Sequence, residues 1–454
     1  MLRLYNTLLG NNIQVTPLNA PNFTMYVCGP TVYDRPHIGH GRSVLTFDLL
    51  RRYLQYRGLE VVHVSNITDV DDKIIARAQR EAADPLELAR DYEEQWWKAM
   101  DNLGVLRPHY APRATEWIEQ IVDLIEQLSR GGFTYVTKDG VYLDISKVSD
   151  YGLLAQQDLS NLQTSSRNFS EDKRQPLDFA LWKFNSKQEL YWDAPFGPGR
   201  PGWHTECVAM STGILGHHFD LHGGGLDLKF PHHENERAQA KLLGYGFAQQ
   251  WMHHGFVESG GVKMSKSLGN FTTLTEMLEL YDPRSYRLLV ARSHYRSPLE
   301  VTRELAEEAV STLRRLDQFL DRLGDLIRDS NVMASDKVAL TQEFEEAMDE
   351  DLNTPVAMRA IFEAITKGNT AFDAGEFQVA KGYGIQVSAA LEALGLAPSV
   401  VAEEIPDSVL ELARKRQLAK QDRDFASADI IRNEIRALGY TVEDSSNGYR
   451  IRRT

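Results

Sequence analysis

Residues 23–64 read FTMYVCGPTVYDRPHIGHGRSVLTFDLLRRYLQYRGLEVVHV, and this stretch holds the pattern that decides the fold. The apolar run at residues 23–28 predicts a buried strand, and apolar side chains at helical spacing predict a helix over residues 40–56. A second apolar run, residues 59–64, predicts another strand. Strand, loop, helix and strand in this order predict a parallel sheet with helical crossovers.

This α/β pattern is interrupted once further along the chain. Residues 74–87 continue it with a predicted helix, but short alternating strands replace it between residues 131 and 145. A loop-rich stretch follows as far as Leu190, and the strand and helix pattern resumes near Pro201. We therefore predict a Rossmann-like α/β domain with a parallel sheet that is split by an insertion.

The second part of the chain is predicted to be mostly helical. Leucine and isoleucine residues at steps of three and four between residues 313 and 327 mark the seam of a bundle helix. Residues 343–367 and 378–396 continue this pattern, and residues 440–453 predict a hairpin that turns at residues 446–448. The predicted fold is therefore a split α/β domain, an α-helical bundle and a small mixed α/β C-terminal domain. The predicted boundaries are 1–120 and 201–270 for the halves of the α/β domain, 121–200 for the insertion, 271–398 for the bundle and 399–454 for the C-terminal domain.

The composition is that of a globular protein without disulfides. Of 454 residues, 42% are apolar, 25% are charged and only two are cysteine, which indicates a reducing, cytoplasmic environment. We expect neither a signal peptide nor a membrane span. The net charge of −14 disfavours broad nucleic-acid binding, but residues 411–454 carry ten basic and seven acidic side chains and offer a local surface for RNA.

The two cysteines, Cys28 and Cys207, lie in segments suited to chemistry. Cys28 ends the first predicted strand, and Cys207 ends the sequence GWHTEC, which precedes the sequence PHHENE at residues 231–236. If these segments meet in space, two thiolates, an imidazole and a carboxylate can surround one zinc ion. On a helix, both His232 and His233 lie close to Glu236, so spacing alone leaves the choice of histidine open.

Two histidines, His37 and His40, follow the first strand and flank Gly39. Polar residues between a strand end and a helix start lie where helix-terminal N–H groups attract anions. Gly39 allows a base or phosphate to approach the backbone, and both imidazoles can donate hydrogen bonds to charge developing on a phosphate. For these four residues alone, an ordinary polar helix start is the simpler interpretation.

A second short motif, KMSKS, contains Lys263 and Lys266 and is flanked by glycines. Two ammonium groups on a mobile loop suit a triphosphate whose charge shifts during a reaction. When this motif is taken alone, a solvated basic turn is the simpler interpretation. Both motifs occur in order and adjoin the split α/β domain, and this combination favours ATP-dependent chemistry.

The pair of motifs is the signature of the class I aminoacyl-tRNA synthetases, which this chain resembles. Longer and more specific stretches resemble the cysteinyl-tRNA synthetase family over essentially the whole chain. They lie at residues 25–34, 66–69, 201–207 and 222–236. The resemblance implies that the chain activates L-cysteine with ATP and Mg²⁺ and transfers it to tRNA(Cys). It further implies one Zn²⁺ per chain, a monomer, and a C-terminal domain that reads the anticodon.

The same resemblance assigns residues to roles. The zinc ligands that it implies are Cys28, Cys207, His232 and Glu236. The catalytic residues are His37, His40, Lys263 and Lys266, and the ATP-binding residues are His37, Gly39, His40 and Lys266. The cysteine pocket is formed by Thr31, Thr68, Trp203 as a wall and Asp227 as the partner of the substrate ammonium. Helix capping is the alternative interpretation of Thr68 and Asp227, and core packing is that of Trp203.

Zinc has a clear purpose if the substrate is cysteine. An apolar pocket distinguishes near-isosteres by about 10–200-fold, whereas accurate translation needs about 10⁴–10⁵. A zinc ion ionises a bound thiol and prefers sulfur ligands, so it excludes serine without an editing domain. Two alternatives stay open, namely a cysteine ligase of mycothiol biosynthesis and a non-catalytic tRNA-binding relative. The first characteristically lacks the full C-terminal tail that residues 408–454 supply here.

Overall fold

The computed structural model of the protein describes most of the chain. The described residues are 1–156, 172–184, 190–258, 273–335, 338–398, 406–445 and 448–453. They form two compact units, Met1–Ala397 and Pro398–Thr454. Within these ranges, the helices are each too short or too polar to cross a membrane. The predicted fold class is confirmed, whereas the five predicted domain boundaries stay predictions.

The first part of the chain alternates strand and helix, as its apolar pattern predicts. Its elements are β1 (Arg3–Asn6), β2 (Asn11–Gln14), β3 (Asn22–Val27), α1 (Ile38–Tyr56), β4 (Glu60–Ser65), α2 (Asp72–Glu81) and α3 (Pro85–Asn102). The prediction of one helix over residues 74–87 is wrong. Ala82 adopts a left-handed φ of 51° and ends α2, and Asp84 caps α3, which begins at a proline.

The predicted insertion is a small antiparallel sheet with one helix packed beside it. Its elements are α4 (Ile118–Arg130), β5 (Thr134–Val136), β6 (Gly140–Leu143), β7 (Phe179–Phe184) and β8 (Gly199–Pro201). The strands pair in the order β5-β6-β7-β8. α4 buries Ile121, Leu124, Ile125 and Leu128, whose steps of three and four form one apolar face.

The chain then returns to the central sheet. The next elements are α5 (Trp203–Leu215), β9 (His218–Gly225), α6 (Glu234–Leu242), β10 (Phe247–His254) and β11 (Val257–Glu258). The sheet order is β10-β9-β3-β4, and every pairing in it is parallel. The carboxyl ends of all four strands therefore lie at one edge, which is where ligands bind in open α/β sheets.

The remainder of the first unit is mostly helical. Its elements are α7 (Leu274–Leu280), α8 (Pro283–Ala291), β12 (Leu299–Glu300), α9 (Arg303–Arg328), α10 (Leu340–Asp349), α11 (Thr354–Asp373) and α12 (Phe377–Ala393). The predicted seam lies on α9, where Leu313, Leu316 and Leu323 are buried. Residues 343–367, predicted to continue the helical pattern, belong to two helices, α10 and α11, which are separated where Asp351 and Leu352 have left-handed φ values of 59° and 50°.

The second unit is the predicted small α/β domain. Its elements are α13 (Asp407–Gln421), α14 (Phe425–Ala437), β13 (Tyr440–Ser445) and β14 (Gly448–Arg453). The two strands form the predicted antiparallel hairpin, although Ser446 and Asn447 of its turn lie outside the described residues. A compact apolar core of Val409, Ala413, Ile435 and Val442 joins the helices to the hairpin.

Candidate active site and metal centre

Four potential metal ligands meet at the carboxyl edge of the central sheet. Cys28 follows β3, and Cys207 lies on α5. His232 lies in the short helical turn Lys229–His233 that precedes α6, and Glu236 lies in the first turn of α6. The two sulfurs are 3.8 Å apart, and the Cys28 sulfur is 3.5 Å from Glu236 Oε1. His232 Nε2 lies 3.5 Å from the Cys207 sulfur and 3.0 Å from Glu236 Oε1.

These separations fit a tetrahedral zinc site. With Zn–S bonds of about 2.3 Å and Zn–N or Zn–O bonds of about 2.0–2.1 Å, two sulfurs are separated by about 3.8 Å. Sulfur lies about 3.5 Å from nitrogen or oxygen in the same geometry, and nitrogen lies about 3.3 Å from oxygen. The three observed distances that involve sulfur match these values. The distance from His232 Nε2 to Glu236 Oε1, 3.0 Å, is slightly short. Two sulfurs, an imidazole and a carboxylate are also donors that zinc prefers.

The geometry favours His232 over His233 as the third ligand. His233 Nε2 is 3.3 Å from the Cys28 sulfur, and Cys28, His222, His233 and Glu236 form a second group whose ligand atoms lie within 4.8 Å of one another. However, His222 Nε2 is only 2.7 Å from Glu236 Oε2. This separation departs further from the about 3.3 Å expected of nitrogen and oxygen on one zinc ion than the 3.0 Å between His232 and Glu236 does.

Neighbouring side chains orient the ligands. His204 Nδ1 lies 2.8 Å from His232 Nδ1, and Nε2 of His232 faces Cys207 and Glu236. His222 Nε2 contacts Oε2 of Glu236, the oxygen that does not face the two cysteines. Trp203 stacks on the His232 ring with 3.8 Å between centroids. His204 and His222 were not predicted as site residues. A signal existed, since eight of the thirteen histidines lie between residues 204 and 254.

The electrostatic environment of the four donors shifts their pKa values strongly. Burial raises the pKa of the Cys207 thiol, but the hydrogen bond from Cys28 and the nearby His232 reverse this and lower it to about 6. Burial and the adjacent Cys207 raise the pKa of Cys28. Burial lowers the pKa of His232, but Glu236 and Cys207 outweigh it and raise that pKa to about 10. Zinc ligands must be deprotonated, so a dication replaces protons that this cluster otherwise holds.

Residues of the predicted insertion hold the helix that carries Glu236. Tyr151 donates a 2.6 Å hydrogen bond to Asn235 Oδ1, and the backbone N–H of Ala155 donates to Glu234 Oε2 at 3.0 Å. Arg237 donates to the Asp150 carbonyl at 2.7 Å. The first turn of α6 is therefore held from outside the α/β domain, which explains how buried polar residues are satisfied there.

His37 and His40 form the first turn of α1. His37 is the N-cap, and its Nδ1 accepts from the backbone N–H of His40 at 3.2 Å. In return, His40 Nδ1 accepts from the backbone N–H of His37 at 3.3 Å. Burial lowers the pKa of His40 to about 3. Loss of solvent also lowers the pKa of His37, although the nearby Asp227 opposes this shift.

Gly39 is needed for this arrangement of the two rings. A Cβ atom at Gly39 would lie 3.0 Å from Cε1 and 3.1 Å from Nδ1 of His37, so a larger residue displaces the imidazole. The sequence predicts that a phosphate or base approaches Gly39. In the structure, the absence of a side chain at Gly39 leaves space for the His37 ring.

Thr31 and Thr68 lie side by side on the loops after β3 and β4, where they form an isolated β-bridge. Asn66, which was not assigned a role of its own, joins them to the metal ligands. Its Oδ1 accepts from the Gly29 N–H at 2.9 Å, and its Nδ2 donates to Thr68 Oγ1 at 3.1 Å. The structure thus brings this pair next to Cys28.

Asp227 and the two signature lysines complete the predicted set. Asp227 is exposed beyond the end of β9, and a Cβ atom at Gly225 would lie 2.3 Å from its Oδ1. The charge of Asp227 opposes the fall in the pKa of His37, so Asp227 lies near the first turn of α1. Lys263 and Lys266 lie outside the described residues, and their roles stay predictions, as do those of the other site residues.

Comparison with known proteins defines the family. A sequence model described as tRNA synthetases class I (C) catalytic domain matches residues 14–311, and one described as DALR domain matches residues 343–397. A cysteine–tRNA ligase of Carboxydothermus hydrogenoformans is 40% identical over 466 residues, covering 100% of both chains. A cysteine–tRNA ligase of Caldicellulosiruptor saccharolyticus is 41% identical over 463 residues, again covering 100% of each.

Solved structures show the same fold at much lower identity. Mycobacterium tuberculosis methionyl-tRNA synthetase in complex with methionyl-adenylate superimposes with a TM-score of 0.62 at 14% identity, covering 90% of this chain and 96% of that chain. The matches together show that the chain belongs to the class I tRNA synthetases and, within them, to the cysteine–tRNA ligase family. The resemblance found in the sequence is confirmed.

Proposed function

We propose that this protein activates L-cysteine with ATP, releasing pyrophosphate, and transfers the cysteinyl group to the 3′ end of tRNA(Cys). The observation that carries the proposal is the position of the four donors. They fit zinc and lie at the same sheet edge as the His37–His40 turn. A thiol-selective site beside an anion-binding helix start suits cysteine and ATP together.

Cys28, Cys207, His232 and Glu236 would hold one zinc ion per chain. When bound, the ion supplies a Lewis acid that ionises a thiol and discriminates against the less acidic hydroxyl of serine. Trp203, which stacks on His232, forms a flat wall beside the substrate. Thr31 and Thr68 line the opposite loops. Asp227 pairs with the substrate ammonium at the exposed end of β9.

His37 and His40 act on the phosphates of ATP. Because each Nδ1 accepts a backbone N–H, each neutral imidazole carries its proton on Nε2 and can donate it to a phosphate oxygen. Mg²⁺ accompanies ATP, and Lys263 and Lys266 balance the charge of the leaving pyrophosphate. The first step is a displacement at the α-phosphorus, so positioning and charge stabilisation dominate over acid–base chemistry.

The second unit would bind the anticodon loop of the tRNA, because its helices and hairpin carry the basic tail of an otherwise acidic chain. We place the protein in the cytoplasm as a monomer. The two free cysteines support this location.

Two assays test the proposal. Cysteine-dependent exchange of pyrophosphate into ATP reports adenylate formation, and transfer of labelled cysteine to tRNA(Cys) reports the second step. We expect both with zinc-loaded protein, and neither when serine replaces cysteine. Exchange without charging of tRNA, together with transfer to glucosaminyl-inositol, would identify the mycothiol ligase instead. Folded, zinc-loaded protein without either activity contradicts catalysis altogether.

A further inference from the structure

A row of three buried polar side chains ends on the sulfur of Cys28. His233 Nε2 lies 3.3 Å from that sulfur, and His233 Nδ1 lies 2.8 Å from His253 Nε2. His253 Nδ1 in turn lies 2.9 Å from Thr7 Oγ1. Thr7, His233 and His253 are 5%, 0% and 3% exposed, so bulk water cannot replace these hydrogen bonds.

The direction of these hydrogen bonds follows from the sulfur at the end of the row. When Cys28 ligates a metal ion, its sulfur is a thiolate, which accepts hydrogen bonds and cannot donate them. His233 Nε2 must then donate, so the other nitrogen of the neutral His233 ring accepts from His253 Nε2. By the same reasoning, His253 Nδ1 accepts from the Thr7 hydroxyl, which has this nitrogen as its one hydrogen-bond partner within the described ranges. Every donor in the row therefore points toward Cys28.

The first strand of the chain brings Thr7 into this row. Thr7 directly follows β1, and its backbone N–H donates to the Trp251 carbonyl at 2.9 Å. Its own carbonyl accepts from Gln156 Nε2 at 2.8 Å. Both backbone groups of Thr7 are thus held, and the contact with Trp251 on β10 sets the hydroxyl beside His253, two residues further along that strand. The beginning of the chain, which has no predicted role, reaches the metal centre in this way.

The two cysteines of the site have different imidazole neighbours. His232, which we assign as a ligand, lies 3.5 Å from the Cys207 sulfur. His233, which we do not assign as a ligand, lies 3.3 Å from the Cys28 sulfur. A Cβ atom at Gly224 on β9 would lie 2.8 Å from His233 Cε1, so this glycine leaves space for the ring. Cys28 therefore has a fixed hydrogen-bond donor of the kind that orients and tunes metal ligands.

We propose that His253 and Thr7 are positioning residues for the metal centre: through His233, they direct an N–H group at the Cys28 sulfur. A hydrogen bond to a ligand thiolate stabilises its negative charge and reduces the charge that it gives to the metal. The site then holds the metal more tightly, and the metal keeps more of its attraction for the thiol of the substrate. The effect on the substrate rests on the proposed function, whereas the effect on the metal does not.

His253→Asn tests the proposal in the full-length protein, because asparagine keeps an acceptor near Nδ1 but loses the donor at Nε2. In competition with a chromogenic chelator, we expect zinc affinity to fall by about tenfold or more, with one ion still bound at saturation. In cobalt-substituted protein, the sulfur-to-cobalt charge-transfer band should move to longer wavelength, because a thiolate without this hydrogen bond gives up electrons more readily. His253→Gln keeps a donor near the Nε2 position and should recover much of both.

Thr7→Val is the milder test, since valine has the shape of threonine and lacks only the hydroxyl. We expect zinc affinity to fall by about threefold to tenfold, the effect of one hydrogen bond, and Thr7→Ser to restore it. Thr46→Val is the matched control. Thr46 is 2% exposed and donates to the Arg42 carbonyl at 2.9 Å within α1, so T46V should leave the zinc affinity and the cobalt band unchanged.

Wild-type zinc affinity and an unshifted cobalt band in H253N and T7V overturn the proposal, as does an equal loss of affinity in T46V. Lower thermal stability with unchanged affinity shows a purely structural role and overturns it as well. If H253N fails to fold, T7V against T7S decides the question, and a T7S variant no better than T7V contradicts the proposal. Wild-type protein that binds zinc but exchanges no pyrophosphate contradicts the proposed function alone, because the affinities and spectra need neither cysteine nor ATP.

Discussion

His37 and His40 stack ring on ring, with 3.6 Å between their centroids and 16° between their planes. Each ring caps the backbone N–H of the other through Nδ1. The short motif is therefore a self-supporting structure in which each histidine fixes the tautomer of its partner. The rings of Trp96 on α3 and His40 are nearly perpendicular, with 5.4 Å between their centroids. Trp96 therefore adds a third aromatic contact to the pair.

This arrangement predicts different outcomes for two amide substitutions. His40→Asn keeps an acceptor near the position of Nδ1 but removes the Nε2 donor. The melting temperature should therefore change little, while kcat for adenylate formation falls by about 10²-fold, the cost of losing one such donor. His40→Gln keeps a donor near the Nε2 position and should recover part of the rate. Pyrophosphate exchange and thermal unfolding measure both effects, and an H40N rate near wild type would contradict the donor role.

Zinc content distinguishes the two adjacent histidines. His232→Asn should reduce bound zinc well below one ion per chain, because Nε2 of His232 lies 3.0 Å from Glu236 Oε1. His233→Asn is the matched control and should keep close to one ion, since we propose His232 and not His233 as the ligand. Elemental analysis of purified, dialysed protein provides the measurement. Loss of zinc from H233N alone would reverse the assignment.

Asn66 should act on cysteine binding without acting on the metal. Asn66→Ala removes both hydrogen bonds that join Gly29 to Thr68, and each is expected to contribute about 1 kcal/mol. We expect the KM for cysteine to rise by about fivefold to thirtyfold, with zinc content unchanged. Pyrophosphate exchange at varied cysteine concentrations measures this KM. A variant that loses zinc as well would show that Asn66 supports the ligands instead.

Acid should destabilise the protein through His63. This histidine is 8% exposed on β4, and burial, together with the charge of Arg51, lowers its pKa to about 3. The unfolded chain takes up a proton below a pKa of about 6.5, whereas the folded chain does not. The stability from this residue is therefore fully present above pH 6.5 and is lost as the pH falls toward 3. The slope approaches about 1.4 kcal/mol per pH unit.

His63→Leu tests that slope, because both ring nitrogens of His63 lack hydrogen-bond partners among the described residues. Urea unfolding at pH 7.5 and 5.5 should show a smaller loss of stability in H63L than in wild type, by about 1–1.4 kcal/mol. Between pH 7.5 and 8.5 the two proteins should keep a constant difference, which is the internal control. Equal acid sensitivity would show that His63 takes up its proton as readily in the folded protein as in the unfolded chain.

Local patterns predicted the elements well and their interruptions poorly. The apolar run of β3 and the helical spacing of α1 are local properties, so both elements were predictable. The breaks at Ala82 and at Asp351 and Leu352 were missed because non-glycine residues adopt left-handed φ only when their surroundings hold them there. For Asp351 those surroundings are Tyr295 and Arg296, more than fifty residues earlier in the chain.

The residues of the site were likewise only partly predictable. Cys28, Cys207, His37 and His40 stood out by type and by neighbouring motif. Asn66, His204 and His222 were not assigned roles, because their contacts with other site residues depend on the fold. Asn66 reaches Gly29 across 37 residues, and His204 reaches His232 across 28.

By itself, the sequence determined the strand and helix types, the split α/β class and the family, since these follow from periodicity and from contiguous motifs. Only the tertiary structure brought the candidate donors together, in two overlapping groups that contain His232 or His233. Two neighbouring side chains on a helix differ by about 100° in direction. The direction that meets Cys207 depends on how α5 and α6 pack against the sheet edge.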